Sequence, residues 1–214
     1  MNYNILPIAS AGFKYIASSI FAFILFTFLD FNFLALSSFT LIFIFLYLYR
    51  NPEREFEIYE QYSFLSPADG EILSIEELKN DEDYAYKIEI QSNYKDLSIL
   101  RVPFDATLTS VVATQGTHLS HNSKLSSKLN ESLELVFNDA SSRKTKIMHQ
   151  VGRSFDTIHI NVMEDRILRQ TNRYGFLLNG TITIYTPKNF RLNVHAGNKL
   201  YAANSILGYF IPLP

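Results

Sequence analysis

The residues with the clearest chemical potential are Gly180-Thr181, where a hydroxyl follows directly on a glycine carbonyl. A threonine hydroxyl becomes a nucleophile when a base takes its proton. That base is most often a histidine, oriented in turn by a carboxylate. The chain offers five histidines, His118, His121, His149, His159 and His195, and no cysteine. The lack of cysteine excludes disulfides, thiolate catalysis and cysteine-based metal sites, and no other metal site is expected. Simpler readings stand beside each candidate. Thr181 reads as a strand residue after an Asn179-Gly180 hairpin turn, and Asp69 as the turn residue of Asp69-Gly70. His159 alternates with Ile158 and Ile160, the pattern of a structural or exposed strand position. His118 and His121 fall in a polar loop. His195, before Ala196-Gly197, is the histidine expected nearest Gly180.

The elements that would position these groups differ between the two ends of the chain. Ile8 to Leu29 holds one charge, Lys14, and Phe33 to Tyr49 holds none. A helix that crosses about 30 Å of hydrocarbon needs roughly 20 apolar residues, with about 17 as the lower limit. Two helices, at about 8–29 and 33–49, are expected to form a transmembrane hairpin with a turn at Asp30-Phe31-Asn32. Arg50 and Arg54 follow the second helix, which places residues 51–214 on the cytoplasmic face of an inner membrane by the positive-inside rule. A cleaved signal peptide is the rival, weakened by the absence of a basic cluster and of a small-residue cleavage site.

Beyond a connector at 51–63, short alternating runs replace the apolar stretches. Asp83–Gln91, Leu133–Phe137, Thr145–Val151, Thr157–Val162 and Gly180–Tyr185 read as strands, and Ser120–Asn130 as a loop. The fold class is therefore mainly β, a barrel- or sandwich-like domain at 64–214 after the helix pair. The net charge of -2 argues against a nucleic-acid partner. Arg143-Lys-Thr-Lys146 reads as a solvated hairpin tip, or as a contact for anionic lipid head groups at about 1 kcal/mol per basic residue. Asn179-Gly-Thr181 and Asn130-Glu-Ser132 match glycosylation sequons, which carry little weight for a cytoplasmic domain.

Several blocks, in order, resemble the short bacterial phosphatidylserine decarboxylases. They are Tyr49-Arg-Asn-Pro-Glu-Arg54, Leu65-Ser-Pro-Ala-Asp-Gly70, Arg101-Val-Pro103, Asn130-Glu131, Gln150-Val-Gly152, Gly175-Phe-Leu-Leu-Asn-Gly-Thr181 and Val194–Ala203. The resemblance implies self-cleavage between Gly180 and residue 181, where the family has Ser. In that family the hydroxyl attacks the glycine carbonyl, the amide becomes an ester, and elimination leaves a pyruvoyl group as the only cofactor. The pyruvoyl then acts as the electron sink for loss of CO₂ from phosphatidylserine. By the same resemblance Asp69 is the family's carboxylate, and Ser98 stands where its histidine is expected. A serine has no basic group near neutral pH. Thr181 would give 2-oxobutanoyl in place of pyruvoyl, and its methyl restricts χ1.

With both groups replaced, the expectation is a non-catalytic homologue of phosphatidylethanolamine metabolism that is defective in self-cleavage and has no cofactor. It would bind a phospholipid bilayer and phosphatidylserine or a related head group, with a homo-oligomer as a further possibility. The alternative is an active decarboxylase, cut at Gly180-Thr181, with a Thr-derived ketoacyl group. A carrier-type barrel ranks last, because Lys199 is off-pattern for an attachment lysine.

Overall fold

The computed structural model describes residues 7–54, 62–141 and 143–212. The chain divides into two compact units, Met1–Arg54 and Glu55–Pro214. Most of the connector expected at 51–63 lies outside the described residues.

In the first unit a 3-10 turn at Ser10–Gly12 leads into α1 (Phe13–Phe28), and α2 (Asn32–Leu48) follows. No Gly or Pro interrupts residues 13–48, so only the polar turn breaks the helical run. Asp30 makes that turn with φ 58°, a left-handed conformation that Asp tolerates better than most residues. The hydroxyls of Ser19, Thr27, Ser37 and Thr40 each donate to the carbonyl four residues earlier. Their polarity is thus met within the helix, as an apolar surrounding requires. The helices run antiparallel, with ring pairs Phe23–Phe39 and Tyr15–Phe45 along the seam. The two ends of the unit meet where Ala9 N donates to the Tyr49 carbonyl at 2.8 Å. The outer surface is apolar, with Phe21, Phe28, Phe33 and Leu36 exposed. Ser10–Phe28 is long and apolar enough to cross a membrane, whereas Asn32–Leu48 has 17 residues and is shorter.

The second unit is mainly β. Its strands are β1 (Ser63–Leu65), β2 (Gly70–Glu77), β3 (Tyr84–Ser92), β4 (Ile99–Arg101), β5 (Ala106–Thr114), β6 (Ser132–Asn138) and β7 (Lys144–Val151). After them come β8 (His159–Ile160), β9 (Arg166–Leu168), β10 (Arg173–Phe176), β11 (Gly180–Pro187), β12 (Phe190–Leu192), β13 (Lys199–Leu200) and β14 (Ile206–Phe210). One sheet holds eight strands in the order β13-β2-β3-β11-β7-β6-β5-β9. Two sheets of three strands, β1-β14-β12 and β4-β10-β8, complete the unit.

Alternation decides which face of the large sheet is buried. Along β11, Ile182 and Ile184 are fully buried while Thr181, Thr183 and Tyr185 are half-buried. Ile88 and Ile90 of β3 and Ile147 of β7 join them in the core, which Phe64, Phe104, Phe190 and Phe210 close with tilted and edge-on rings. The strands expected from alternation appear within one or two residues of their expected bounds, except at Thr157–Val162. There only His159–Ile160 is strand, because β8 is an edge that pairs β10 over two residues. The loop expected at Ser120–Asn130 contains a short helix, α3 (Ser126–Leu129).

Candidate functional site

The Gly180-Thr181 junction is not a hairpin. β10 belongs to a three-stranded sheet and β11 to the eight-stranded one, so Leu177–Asn179 carry the chain from one sheet to the other. Gly180 then enters the centre of the large sheet, between Ser92 of β3 and Val151 of β7. A Cβ at position 180 would lie 2.2 Å from the Gln150 carbonyl oxygen, so β11 can close on β7 only with glycine there.

Thr181 follows on the half-buried face, with Gln91 of β3 and Gln150 of β7 directly opposite on either side. Its hydroxyl donates to Gln91 Oε1 at 3.2 Å. The same carboxamide donates from Nε2 to the Gly180 carbonyl oxygen at 3.1 Å and to the Ser92 carbonyl at 3.0 Å. Gln91 is 6% exposed. One buried amide therefore hydrogen-bonds both the Thr181 hydroxyl and the Gly180 carbonyl oxygen. An amide oxygen orients a hydroxyl but does not take its proton near neutral pH, so it does not serve as a base.

Asp69 precedes β2 and is buried; its Oδ1 accepts from the backbone N–H of Ala202 at 2.7 Å. β1 and β2 lie in different sheets, so Asp69-Gly70 is not a hairpin turn either. A Cβ on the adjacent Gly70 would lie 2.3 Å from the Gln91 carbonyl oxygen, and Glu71 pairs with Gln91, which sets Asp69 two residues from the Gln91–Thr181 row. Ser98 directly precedes β4, and its carbonyl accepts from Leu177 N at 2.8 Å, beside the segment that crosses to Gly180. Its hydroxyl is buried and has no hydrogen-bond partner among the described residues. Thus the fold sets Asp69 beside the Gln91 strand and Ser98 beside the crossing segment, while the hydroxyl of Thr181 bonds Gln91.

The five histidines have other occupations. His149 is fully buried on β7 opposite Ile182, on the core face rather than the Thr181 face. Its Nδ1 faces the Leu133 carbonyl at 3.4 Å and its Nε2 the Tyr174 hydroxyl at 2.7 Å. A carbonyl only accepts, so Nδ1 carries the proton and the tyrosine donates to Nε2. Burial lowers the His149 pKa to about 4 and raises that of Tyr174. His118 lies between the Ser154 carbonyl and Glu131, both at 2.8 Å. His159 bonds the buried Asp156 at 3.1 Å. His121 and His195 are exposed.

Asn130, of the Asn130-Glu131 pair, is a structural clamp. It accepts from Thr117 Oγ1 and Leu119 N and donates to the carbonyls of Leu119 and Val151. The basic stretch at 143–146 is only partly a solvated tip. Arg143 is buried, pairs with Asp139, donates to the Ile211 carbonyl and lies 4.5 Å from the Phe210 ring centre. Gln91 was missed in the sequence, since its role depends on a strand pairing 90 residues long. Its one signal was a polar residue closing the alternating run Asp83–Gln91.

Comparison with known proteins adds an independent line. The family model described as phosphatidylserine decarboxylase matches residues 41–208. The phosphatidylserine decarboxylase proenzyme of Desulfotalea psychrophila is 30% identical over 187 residues, which cover 86% of this chain and 85% of the relative. The proenzyme of Syntrophus aciditrophicus is 27% identical, covering 77% and 78%. That of Geotalea uraniireducens is 25% identical, covering 94% and 96%. No solved structure matches the chain.

Proposed function

The chain belongs to the phosphatidylserine decarboxylase family, and we propose that it is an uncut, non-catalytic, membrane-anchored member that binds a phospholipid head group. One observation carries this reading. The Thr181 hydroxyl is held by the carboxamide of Gln91 and by no imidazole among the described residues, while Ser98 occupies the position where the resemblance places the base. The relatives are named proenzymes, and a pyruvoyl group is what self-processing yields in this family. The residues here do not fit that group: no imidazole bonds the Thr181 hydroxyl among the described residues, and elimination from threonine leaves 2-oxobutanoyl. No catalytic step is therefore derived through it.

In this reading residues 1–50 are the anchor, 51–63 the connector and 64–214 the lipid-facing domain. The apolar Ser10–Phe28 helix and Arg50 and Arg54 after α2 support insertion in the inner membrane with the domain in the cytoplasm. The head group of phosphatidylserine, or of a related lipid, is then within reach of the domain at the bilayer surface. The assembly is a monomer or a homo-oligomer, which crosslinking in detergent distinguishes.

A second reading, an active enzyme with a Thr-derived ketoacyl group, is favoured by the Gln91 Nε2 bond to the Gly180 carbonyl. A denaturing gel of the purified full chain separates the two. A single species supports the uncut reading, and two chains support the active one.

A further inference from the structure

Three connections leave the eight-stranded sheet at the end where Gly180 enters it. Ser92 closes β3 and Val151 closes β7 on either side of Gly180. Ser132 opens β6 opposite Gln150 of β7 and Thr114, the last residue of β5. The segments 93–98, 115–131 and 152–158 therefore gather at one end of the unit, and side chains tie them together. The Tyr94 ring stacks on Phe155 at 6.5 Å, and its hydroxyl donates to the Arg153 carbonyl. Asn130 and His118 join the long loop to the carbonyls of Val151 and Ser154.

Two of these segments are inverted relative to a surface built for water. At α3, Ser126 is 5% exposed and its carbonyl accepts from Gln150, while Leu125 and Leu129 stand out at 55% and 48%. In the neighbouring segment Asp156 is 2% exposed and Phe155 is 50% exposed. A helix on a solvated surface turns its leucines inward and its serines outward. Charge is sorted in the same sense. Lys124, Lys128 and Arg153 are exposed. Glu131, by contrast, accepts from Ile158 N and faces His118, and Asp156 bonds His159. Apolar side chains and bases point outward here, and these two carboxylates are engaged within the protein.

We propose that this end of the β domain docks on the surface of an anionic bilayer. Leu125, Leu129 and Phe155 enter the boundary of the acyl chains, and Lys124, Lys128 and Arg153 meet the phosphates around them. The apolar tips bind through the area they bury, and each base adds attraction to a negatively charged surface. The proposal rests on the reading of the chain as membrane-anchored and assigns the face that the domain turns to the lipid. It takes the place of the stretch 143–146 as the lipid contact, since Arg143 is buried against Asp139. Gly180 and Thr181 stand at the same end of the sheet, so docking brings head groups toward the candidate site.

The chain has no Trp, so a single introduced indole reports alone. The full chain carrying Leu125→Trp or Phe155→Trp is reconstituted into phosphatidylcholine vesicles, with or without phosphatidylglycerol, whose acyl chains are brominated near the head group. Both indoles should be blue-shifted and quenched in the anionic vesicles. Ile211→Trp, an exposed position whose carbonyl accepts from Arg143 at the far end of the sheet, should stay unquenched in both. Adding Lys124→Gln or Lys128→Gln to the Phe155→Trp chain should each lower the ratio of docked to free domain about fivefold.

The proposal is overturned if either indole is quenched no more than that of Ile211→Trp in anionic vesicles, or if quenching is equal without phosphatidylglycerol. A blue shift that follows protein concentration rather than lipid assigns the patch to a second copy of the chain and overturns it as well. Flotation with the vesicles checks the anchor separately. A chain that does not float overturns the anchored reading, and a chain that floats unquenched overturns the docking alone.

Discussion

Acidification should destabilise the β unit through His149 in a narrow range. The imidazole is fully buried, and its pKa falls from 6.5 to about 4 because burial disfavours the charged form. The unfolded chain therefore binds this proton more tightly than the folded one. Stability is complete above about pH 6.5, is lost as the pH falls toward about 4, and is flat in this respect below that. The difference in pKa corresponds to about 3 kcal/mol, a large share of the 5–15 kcal/mol typical of a domain (order of magnitude). The perturbation is His149→Gln, which cannot charge and can still face Tyr174. The assay is urea unfolding of the full chain in detergent at several pH values from 7 to 4. The variant should start less stable at pH 7 and lose less on acidification, so that the two curves converge near pH 4. Carboxylates titrate alike in both proteins and cancel in the comparison. Parallel curves across that range would refute the argument that His149 is held neutral by burial.

Three further outcomes follow. Thr181→Ser combined with Ser98→His restores the two replaced groups, and the double variant is expected to begin to self-cleave, giving two chains on a denaturing gel; a chain that stays whole means the loss is built in more deeply. Asn130→Ala removes four hydrogen bonds at a buried position and should cost about 3 kcal/mol, read as a lower urea midpoint; an unchanged midpoint would contradict the clamp. The full chain reconstituted beside phosphatidylserine vesicles should bind the soluble serine head group, glycerophosphoserine, more tightly than glycerophosphocholine by calorimetry, and equal affinities would argue against head-group recognition.

Much of the fold was legible because it is written in short-range patterns. An unbroken apolar run with one polar turn gives the helix pair directly. Period-two alternation gives β3, β6, β7 and β11, since one face of each is buried against the core. The failures share a cause. Asn179-Gly180 and Asp69-Gly70 carry the residues of hairpin turns, yet the strands on either side of each pair join different sheets. Turn chemistry is local, whereas strand partners are chosen by the whole core. The same gap hid Gln91, whose contact with Thr181 spans 90 residues. It also hid the burial of Arg143, whose guanidinium lies over the Phe210 ring and pairs with Asp139. Ser98 was placed by resemblance alone. Its buried hydroxyl, beside Leu177, has no hydrogen-bond partner among the described residues, which no sequence pattern records.

The central claim is that the chain is not cut between Gly180 and Thr181 in the mature protein. Intact-mass measurement of the full chain, purified from the membrane and left untreated, tests it most directly. The account predicts one species at 24.6 kDa. Two species, one of them residues 181–214 with a blocked N-terminus, would contradict it and establish a Thr-derived ketoacyl group in its place.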